Sequence, residues 1–256
     1  MLTPSTLLVR GVDPDPVEWV NPGSTVPVLL VCEHAGQVVP RNLDRLGLPD
    51  DVIGEHIGWD IGAAAVTHAM AENLGCAAIL QRYSRIVIDC NRPTDADDLI
   101  PEMTDGQPVP GNRELTTADR DKRIAEIFAP FDAAVTQARS SGTELLLSIH
   151  SFTPELLSTP GLRPWHIGFL CRQDTDTSER LLAKIRVLRT DFTLALNEPY
   201  QIDSKSDWFV PNHGEASGIP HSLIEIRNDL IRHPDGQREL ADLLSQAVRS
   251  ILEAPC

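Results

Sequence analysis

The sequence predicts a layered α/β domain whose β-sheet is mainly parallel. Its 256 residues are enough for one large domain with a full hydrophobic core. Short apolar runs alternate with amphipathic stretches of about ten to twenty residues, the pattern of strands and helices that build such a sheet. No internal repeat, low-complexity tract or linker divides the chain, so we expect a single domain over residues 1–256.

The first elements follow an N-terminal segment, residues 1–25, that is rich in Pro, Asp and Ser and is predicted to be irregular. Residues 26–34 (VPVLLVCEH) form a continuous apolar run, which indicates a strand buried on both faces. Residues 59–75 are rich in alanine and end at Gly75, a typical residue at the C-terminal end of a helix. We therefore predict a buried first strand that leads to a helix.

The next segment, residues 76–93, is predicted to form one or two strands. The second of them, RIVIDC at 85–90, would end at an Asn-Arg-Pro triplet. Residues 94–113 are acidic and rich in Pro and Gly, which indicates a long surface loop. A loop of that length without regular structure is usually functional or mobile.

The rest of the chain continues the alternation. Residues 116–142 are predicted to form a helix with a threonine cap and a kink or break at Pro130, because proline cannot donate a backbone hydrogen bond. Strands are predicted at 145–150, 166–171 and 220–229, and further helices at 177–189 and 235–254.

Charge and cysteine content restrict the class of protein. The chain carries 22 Lys and Arg residues against 37 Asp and Glu residues, a net charge of −15, which argues against nucleic acid or an anionic membrane as a partner. The N-terminus lacks the features of a signal peptide, and no apolar run approaches membrane-spanning length. The five cysteines form no CxxC pair. We therefore expect a cytoplasmic protein without disulfides, while the sequence indicates no oligomeric state.

Polar side chains lie at the ends of four predicted strands. Because the carboxyl ends of parallel strands meet at one edge of a sheet, we expect these side chains to converge in one pocket. Imidazoles that hold a Lewis-acid ion, a carboxylate that accepts a proton from water and arginines that bind an anion are the groups a metal-assisted hydrolase needs. The side chains are His34, Arg85, Asn91, Arg92, His150, Glu225 and Arg227.

Five motifs occur in order over about residues 26–231, namely VCEHAGQVVP, GWDIGA, YSRIVIDCNRP, SIHSFTP and LIEIRNDL. Together they resemble the N-formylglutamate amidohydrolase family, which is similar to zinc carboxypeptidases and aspartoacylase-like deacylases. The resemblance implies a three-layer α/β/α fold with a mixed, mainly parallel sheet of the zinc-carboxypeptidase-like (phosphorylase/hydrolase-like) kind. It also implies that His150 is a metal ligand, that Asn91-Arg92 binds a carboxylate and that Glu225 activates water.

The third metal ligand departs from the pattern of the zinc carboxypeptidases. Those enzymes carry His-x-x-Glu after the first strand, whereas this chain has His34 followed by Gln37 at the last position. Glutamine is a poor zinc ligand, so a carboxylate must come from elsewhere or the metal must be held differently. We expect the third ligand to be Asp60, with Glu33 and His56 as alternatives.

The candidate metal ligands and base also have structural interpretations. His34 could cap a loop, His150 could be a hydrogen-bonded core histidine, and Asp60 could stabilise the start of a helix. Glu225 could form a buried ion pair with another arginine or with Arg227, whose side chain, two residues away on the strand, shares its face.

The other candidates remain open in the same way. Asn91 and Arg92 could be turn formers, and Arg85 could lie at a strand start rather than stabilise an oxyanion. His213, in a glycine-bearing loop, could line the pocket or be solvated. Cys32 offers a thiol nucleophile as an alternative, although nothing in the sequence supplies the electropositive setting that a thiolate needs.

The predicted function is zinc-dependent hydrolysis of the amide bond of a small N-acyl amino acid, with N-formyl-L-glutamate cleaved to L-glutamate and formate as the leading case. Another divalent metal is open, and the alternatives are a non-catalytic carboxylate-binding protein and a zinc carboxypeptidase-type metallopeptidase. The predicted roles are metal binding for His34, Asp60 and His150, catalysis for Glu225 and Arg85, and substrate binding for Asn91, Arg92, Arg227 and His213.

Overall fold

A computed structural model describes residues 6–139 and 142–253. The strands in these ranges are β1 (Val17–Val20), β2 (Val28–Cys32), β3 (Ala77–Gln81), β4 (Met103–Thr104), β5 (Gln107–Pro108), β6 (Leu145–Phe152), β7 (Ile167–Leu170), β8 (Leu194–Leu196) and β9 (His221–Arg227). The α-helices are α1 (Asp50–Ile53), α2 (Ala63–Leu74), α3 (Thr117–Arg123), α4 (Ala129–Arg139), α5 (Thr175–Leu188) and α6 (Pro234–Leu252).

Seven of the strands form one mixed sheet in the order β1-β3-β2-β6-β9-β7-β8. The four central strands β3, β2, β6 and β9 are parallel, whereas β1 and the β7–β8 pair run antiparallel to their neighbours β3 and β9. This arrangement confirms the predicted α/β class with a mixed, mainly parallel sheet. The carboxyl ends of β2, β6 and β9 lie side by side at one edge, where ligands bind in folds of this kind.

Both faces of the sheet are covered, which explains why its central strands are continuously apolar. Leu30 and Cys32 of β2 face a core formed with α2, α5 and α6, and their neighbours Leu29 and Val31 face a second core formed with α4 and irregular segments. The layers therefore follow from the alternation of side chains along each strand.

The prediction of a strand at 85–90 is wrong. This apolar segment is buried but begins in a turn, with the Val87 N–H donating to the carbonyl of Ser84 at 2.9 Å. Side chains replace the hydrogen bonds of a sheet: Asn112 donates to the carbonyl of Ile86 at 2.7 Å, and Arg123 donates to that of Val87 at 2.8 Å. The segment is apolar because it is buried, and this composition led to the wrong prediction of a strand.

Two segments that were predicted to be irregular contain short strands. The segment predicted to be irregular at 1–25 contains β1, a short edge strand antiparallel to β3, and its first five residues lie outside the described ones. The predicted loop at 94–113 contains the hairpin β4–β5 and buries Leu99 completely. Strands β1, β4, β5 and β8 have only two to four residues each, too few for a detectable hydrophobic period.

The helix predicted at 116–142 is divided. Thr116 caps α3 in a reciprocal pair with Asp119, as expected. The break comes before Pro130, as a π-helical segment over Ile124–Phe128 that ends with the Ala129 N–H donating to the carbonyl of Ile124. A wider turn of this kind accommodates the ring of Pro130 and its missing N–H. Residues 140–141 of this prediction, residue 254 of the last predicted helix and Cys256 lie outside the described residues.

No helix in the described ranges is long and apolar enough to cross a membrane. The cysteines within those ranges, Cys32, Cys76, Cys90 and Cys171, are free and buried.

Candidate active site

Two adjacent strands and the start of a helix bring the predicted metal ligands together. His34 follows β2 by two residues, and His150 lies near the carboxyl end of the neighbouring strand β6. Their ring centroids are 4.7 Å apart. Asp60 precedes α2, and its backbone N–H donates to the carbonyl of His34 at 3.0 Å. Gly36 makes the turn after His34 possible, because a Cβ there would lie 1.8 Å from the carbonyl oxygen of Arg82.

The three side chains form a buried group with the composition of a metal site. Their ligand atoms lie within 4.8 Å of one another. The Asp60 Oδ2 atom is 2.8 Å from His150 Nδ1 and 3.4 Å from His34 Nδ1. The Asp60 side chain does not cap α2, whose N-cap residue is Gly62, so a role as a helix cap is excluded. The His34 Nδ1 atom is buried and has no hydrogen-bond partner. Two imidazole nitrogens and one carboxylate oxygen that converge in this way fit a divalent cation such as zinc.

Each imidazole also contacts a further carboxylate through Nε2, the ring nitrogen that faces away from Asp60. His34 Nε2 is 2.6 Å from Asp89 Oδ1, and His150 Nε2 is 3.0 Å from Glu33 Oε2. Glu33 also accepts a hydrogen bond from Ser148 at 2.6 Å. Carboxylates in this position orient metal-binding histidines and fix the nitrogen that faces the ion. The geometry therefore directs both Nδ1 atoms towards Asp60.

The alternatives for the third ligand lie elsewhere. Glu33 is behind His150, and His56 is 2.8 Å from Asp105 at the tip of the β4–β5 hairpin. Neither belongs to the group of converging ligand atoms formed by the described residues.

The electrostatics of the group also favour a cation. Burial would raise the pKa of Asp89, but His34, Arg85 and Arg92 together hold this pKa well below its usual range. Burial acts against the charged form of Asp60 as well, yet its contacts with the two histidines lower its pKa. Ionised carboxylates that are almost fully buried require compensating positive charge, which a divalent cation supplies.

Glu225 lies next to this group with one oxygen unpaired. It is 7% exposed and is aligned with His150 across β6 and β9. Its Oε2 atom is buried and has no hydrogen-bond partner. Burial raises the pKa of Glu225 to about 7. A carboxyl group tuned in this way can exchange a proton near neutral pH.

Arg227 does not pair with Glu225 and is not brought to the cavity. Its guanidinium donates to Asp229 at 2.8 and 3.2 Å and to the carbonyl of Pro164 at 3.3 Å. The predicted ion pair between Glu225 and Arg227 is therefore wrong.

Arg85 lies between Asp60, a candidate metal ligand, and Asp89, the carboxylate that contacts His34. Its Nη1 atom is 3.3 Å from Asp60 Oδ1, and its Nη2 atom is 2.9 Å from Asp89 Oδ2. The side chain is 27% exposed and reaches the cavity wall. Its charge is thereby fixed beside the space in front of His34 and His150.

Asn91 and Arg92 also line the cavity. The Asn91 amide donates to Asp207 at 2.8 Å, and its oxygen accepts the N–H groups of Trp208 and Phe209 at 3.1 and 2.8 Å. Its side chain therefore organises the segment that follows Ser206. Arg92 is bound to the Ser206 carbonyl at 2.5 Å and lines the cavity.

A cavity of about 420 Å³ joins these residues, which is a suitable size for a small ligand. It is lined by the predicted residues His34, Arg85, Asn91, Arg92, His150 and Glu225.

His213 and Cys32 lie outside this wall. His213 is 4% exposed and pairs with Asp132 at 3.1 Å, so it is a buried histidine and not a solvated one. It is not among the described residues that line the cavity. Cys32 is completely buried, and burial raises the pKa of its thiol well above the usual range, which argues against a thiol nucleophile.

Residues of the site that the sequence did not reveal include Asp89, Asp207 and Tyr200. Asp89 follows three apolar residues, and the cost of burying an unpaired carboxylate could have drawn attention to it, as it did for Glu225. Asp207 and Tyr200 line the cavity from irregular segments, for which we see no local signal.

Comparisons with known proteins agree with this geometry. A family model described as N-formylglutamate amidohydrolase matches residues 26–232. Among solved structures, a gene product of Agrobacterium tumefaciens is similar at 31% identity, with a TM-score of 0.88 over 96% of this chain and 100% of that chain. An N-formylglutamate amidohydrolase from Ralstonia eutropha has the same fold, with 21% identity and a TM-score of 0.71 over 94% of this chain and 98% of that chain. Curated protein sequences gave no match.

Proposed function

The chain belongs to the N-formylglutamate amidohydrolase family, and from this premise we propose that it is a metal-dependent enzyme that cleaves the amide bond of an N-formyl or other N-acyl amino acid. The observation that carries the proposal is the buried group of His34, Asp60 and His150 with the unpaired carboxyl of Glu225 beside it. The cytoplasmic location that the sequence predicts remains part of the proposal.

The metal in this proposal is zinc, held by His34, Asp60 and His150. A nitrogen-rich group with one carboxylate suits zinc, and the outer carboxylates Asp89 and Glu33 fix the two imidazoles. When bound, zinc would polarise the amide carbonyl and lower the pKa of a water molecule at that position.

Glu225 moves the proton in the proposed reaction. Its unpaired Oε2 atom accepts a proton from the attacking water and then passes it to the departing amine. Arg85, anchored by Asp60 and Asp89, directs positive charge at the oxygen on which negative charge develops.

Arg92 binds the substrate carboxylate in this proposal. Its hydrogen bond to the Ser206 carbonyl holds the guanidinium in the cavity wall, where its planar fork can bind a carboxylate. Asn91 was predicted to bind substrate directly. Since its amide bonds Asp207 and the backbone after it, we assign it the task of holding that wall in place.

Metal analysis combined with an assay of amide hydrolysis tests the proposal. We expect about one zinc per chain, formate release from N-formyl amino acids, loss of turnover after chelation and recovery after zinc is returned. N-formyl-L-glutamate, named by the family description, is the first substrate to assay. Unchanged turnover without metal would contradict the proposal. Carboxylate binding without hydrolysis would indicate a binding protein, and faster release of C-terminal residues from peptides would indicate a metallopeptidase.

A further inference from the structure

The charged groups that line the cavity bear on the side chain of the substrate. Within the described chain, the cationic lining residues are Arg85 and Arg92, and Asp207 and Glu225 are acidic. N-formylglutamate carries two carboxylates, whereas an N-acyl amino acid with a neutral side chain carries only the α-carboxylate. The number of arginines free to bind a carboxylate therefore distinguishes these substrates.

Arg85 is already paired inside the protein. Both of its terminal nitrogens donate to carboxylates, Nη1 to Asp60 and Nη2 to Asp89. These carboxylates are 3% and 4% exposed, so they hold the guanidinium with little competition from water. Arg85 can still direct an N–H at the reacting carbonyl, but its positive charge is balanced before substrate arrives.

Arg92 can bind one carboxylate. Its Nε atom donates to Asp98 at 2.9 Å, and its Nη1 atom donates to the carbonyls of Ser206 and Asn91 at 2.5 and 3.3 Å. Its Nη2 atom donates to no atom in residues 6–139 or 142–253. The α-carboxylate, which every N-acyl amino acid has, would occupy this remaining position.

The rest of the wall combines apolar residues, neutral polar residues and Asp207, and among the described residues it holds no further arginine or lysine. Leu170 and Leu223 are paired across β7 and β9, and each is 2% exposed. Leu223 precedes Glu225 by two residues on one face of β9, so it lies roughly 7 Å from the proposed base. Asp207, 3% exposed, lines the same cavity. Burial raises the pKa of Asp207 to about 6, which leaves it ionised at pH 8.

We propose that the cavity selects N-acyl amino acids with an uncharged side chain and discriminates against acidic ones, N-formylglutamate included. A neutral side chain would pack on Leu170 and Leu223, whereas a second carboxylate would lose water without gaining a cation and would lie near the like charge of Asp207. The inference rests on the proposed amidohydrolase function, because it assumes that the amide is cleaved beside Glu225.

N-formyl-L-glutamine and N-formyl-L-glutamate test the inference, because they have nearly the same size and differ in one charge. At pH 8 and fixed ionic strength we expect kcat/KM to be at least about tenfold higher for the glutamine derivative, and N-formyl-L-leucine to be cleaved as well. Equal or faster cleavage of the glutamate derivative would overturn the inference and leave the amidohydrolase function intact. A preference for N-formyl-L-lysine would also overturn it, and no cleavage of any N-acyl amino acid would overturn both.

Gln201→Lys tests whether the missing cation is the cause. Gln201 is exposed and lines the cavity, so the substitution adds positive charge there without disturbing the core. We expect the preference for glutamine over glutamate to fall several-fold, because cleavage of the glutamate derivative rises. Asp207 is left unchanged since it accepts hydrogen bonds from Asn91 and Val210.

Val187→Lys is the matched control, because this position on α5 is 76% exposed and is not part of the cavity wall. It adds the same charge to a chain whose net charge is −15. An unchanged preference in Gln201→Lys would show that a missing cation in the cavity is not the cause, and equal changes in both variants would show that the discrimination comes from overall charge. Either result would refute the inference.

Discussion

Glu225 is the residue whose role a single isosteric substitution can define. Its Oε2 atom is buried and unpaired, and its predicted partner Arg227 bonds Asp229 instead. We expect Glu225→Gln to keep the fold and the metal, because the amide fills the same space, and to lower kcat by roughly 100-fold or more. Zinc content, melting temperature and kcat of one preparation measure these three properties.

Glu179→Gln provides the control for that substitution, since Glu179 is exposed on α5. We expect it to leave kcat unchanged. A folded, metal-loaded Glu225→Gln protein with near-normal kcat would remove Glu225 from the mechanism. Loss of zinc would instead identify it as a ligand.

The pH dependence of the reaction follows from the burial of the same carboxyl. Burial raises the pKa of Glu225 to about 7, and the positive charge of a bound divalent cation would lower it again towards the ordinary value of about 4.3. Because a base acts when deprotonated, kcat/KM should be low in acid and should rise with pH through a pKa between these limits. A pH profile of kcat/KM measures this rise, and a profile that is flat from pH 3.5 to 7.5 would contradict the assignment.

Arg92 gives a prediction about binding. We expect Arg92→Gln to raise KM by roughly tenfold or more and to change kcat less, because the guanidinium is proposed to hold a carboxylate in both ground and transition states. Steady-state kinetics on one N-formyl amino acid separate the two constants. Asp98→Asn is the control: it weakens only the Nε contact of Arg92, and the Asp98 side chain is 61% exposed. A fall in kcat at constant KM would place Arg92 in the transition state.

At the scale of structural elements, the segment 84–92 depends on side chains for its shape. Asn112 is 1% exposed and donates to the carbonyls of Ile86 and Pro101, both at 2.7 Å, and it accepts a hydrogen bond from Arg123 at 2.7 Å. We expect Asn112→Ala to lower the free energy of unfolding by about 1–3 kcal/mol per buried group left unpaired. Urea denaturation measures the loss.

The same substitution should also lower kcat/KM in the protein that remains folded, because the segment carries Arg85 and Asp89. Asp121→Ala, at an exposed position of α3, is the control and should change neither quantity. A destabilised Asn112→Ala protein with full activity would show that the segment keeps its shape without this anchor.

The elements also show which parts of the structure could be predicted from the sequence. The buried strands β2 and β6 were predictable because side chains on both of their faces are apolar. Because the carboxyl ends of parallel strands meet at one edge of a sheet, His34 and His150 could then be predicted to lie close together. The apolar run at 85–90 has the same composition, but distant side chains satisfy its carbonyls, and no local pattern records this.

The partners of the site residues were hidden for a similar reason. Asp89 bonds His34 across 55 residues of sequence, and Asp207 bonds Asn91 across 116. Such contacts arise from the topology of the sheet and not from a local period. The candidate ligands could be proposed from residue type and position, whereas the carboxylates that orient them required the fold.

For the molecule as a whole, metal binding should contribute to stability. The carboxylates of Asp60, Asp89 and Glu33 are almost fully buried around His34 and His150, in a chain whose net charge is −15. A cation that binds the folded chain and not the unfolded one stabilises it by about 2.7 kcal/mol at a hundred times its dissociation constant. For a domain of this size, we expect removal of the metal to lower the melting temperature by roughly 5–10 °C.

Thermal denaturation with and without chelator, followed by return of zinc, measures this shift independently of any substrate. The control is His68→Ala: His68 lies on α2 with its side chain 44% exposed, and the variant should keep the full zinc-dependent shift. His34→Ala should lose the shift, because one of the converging Nδ1 atoms is removed. A wild-type melting temperature that does not respond to chelator or zinc would mean that the protein's own side chains balance the buried carboxylates, and the metal site would then have to be abandoned.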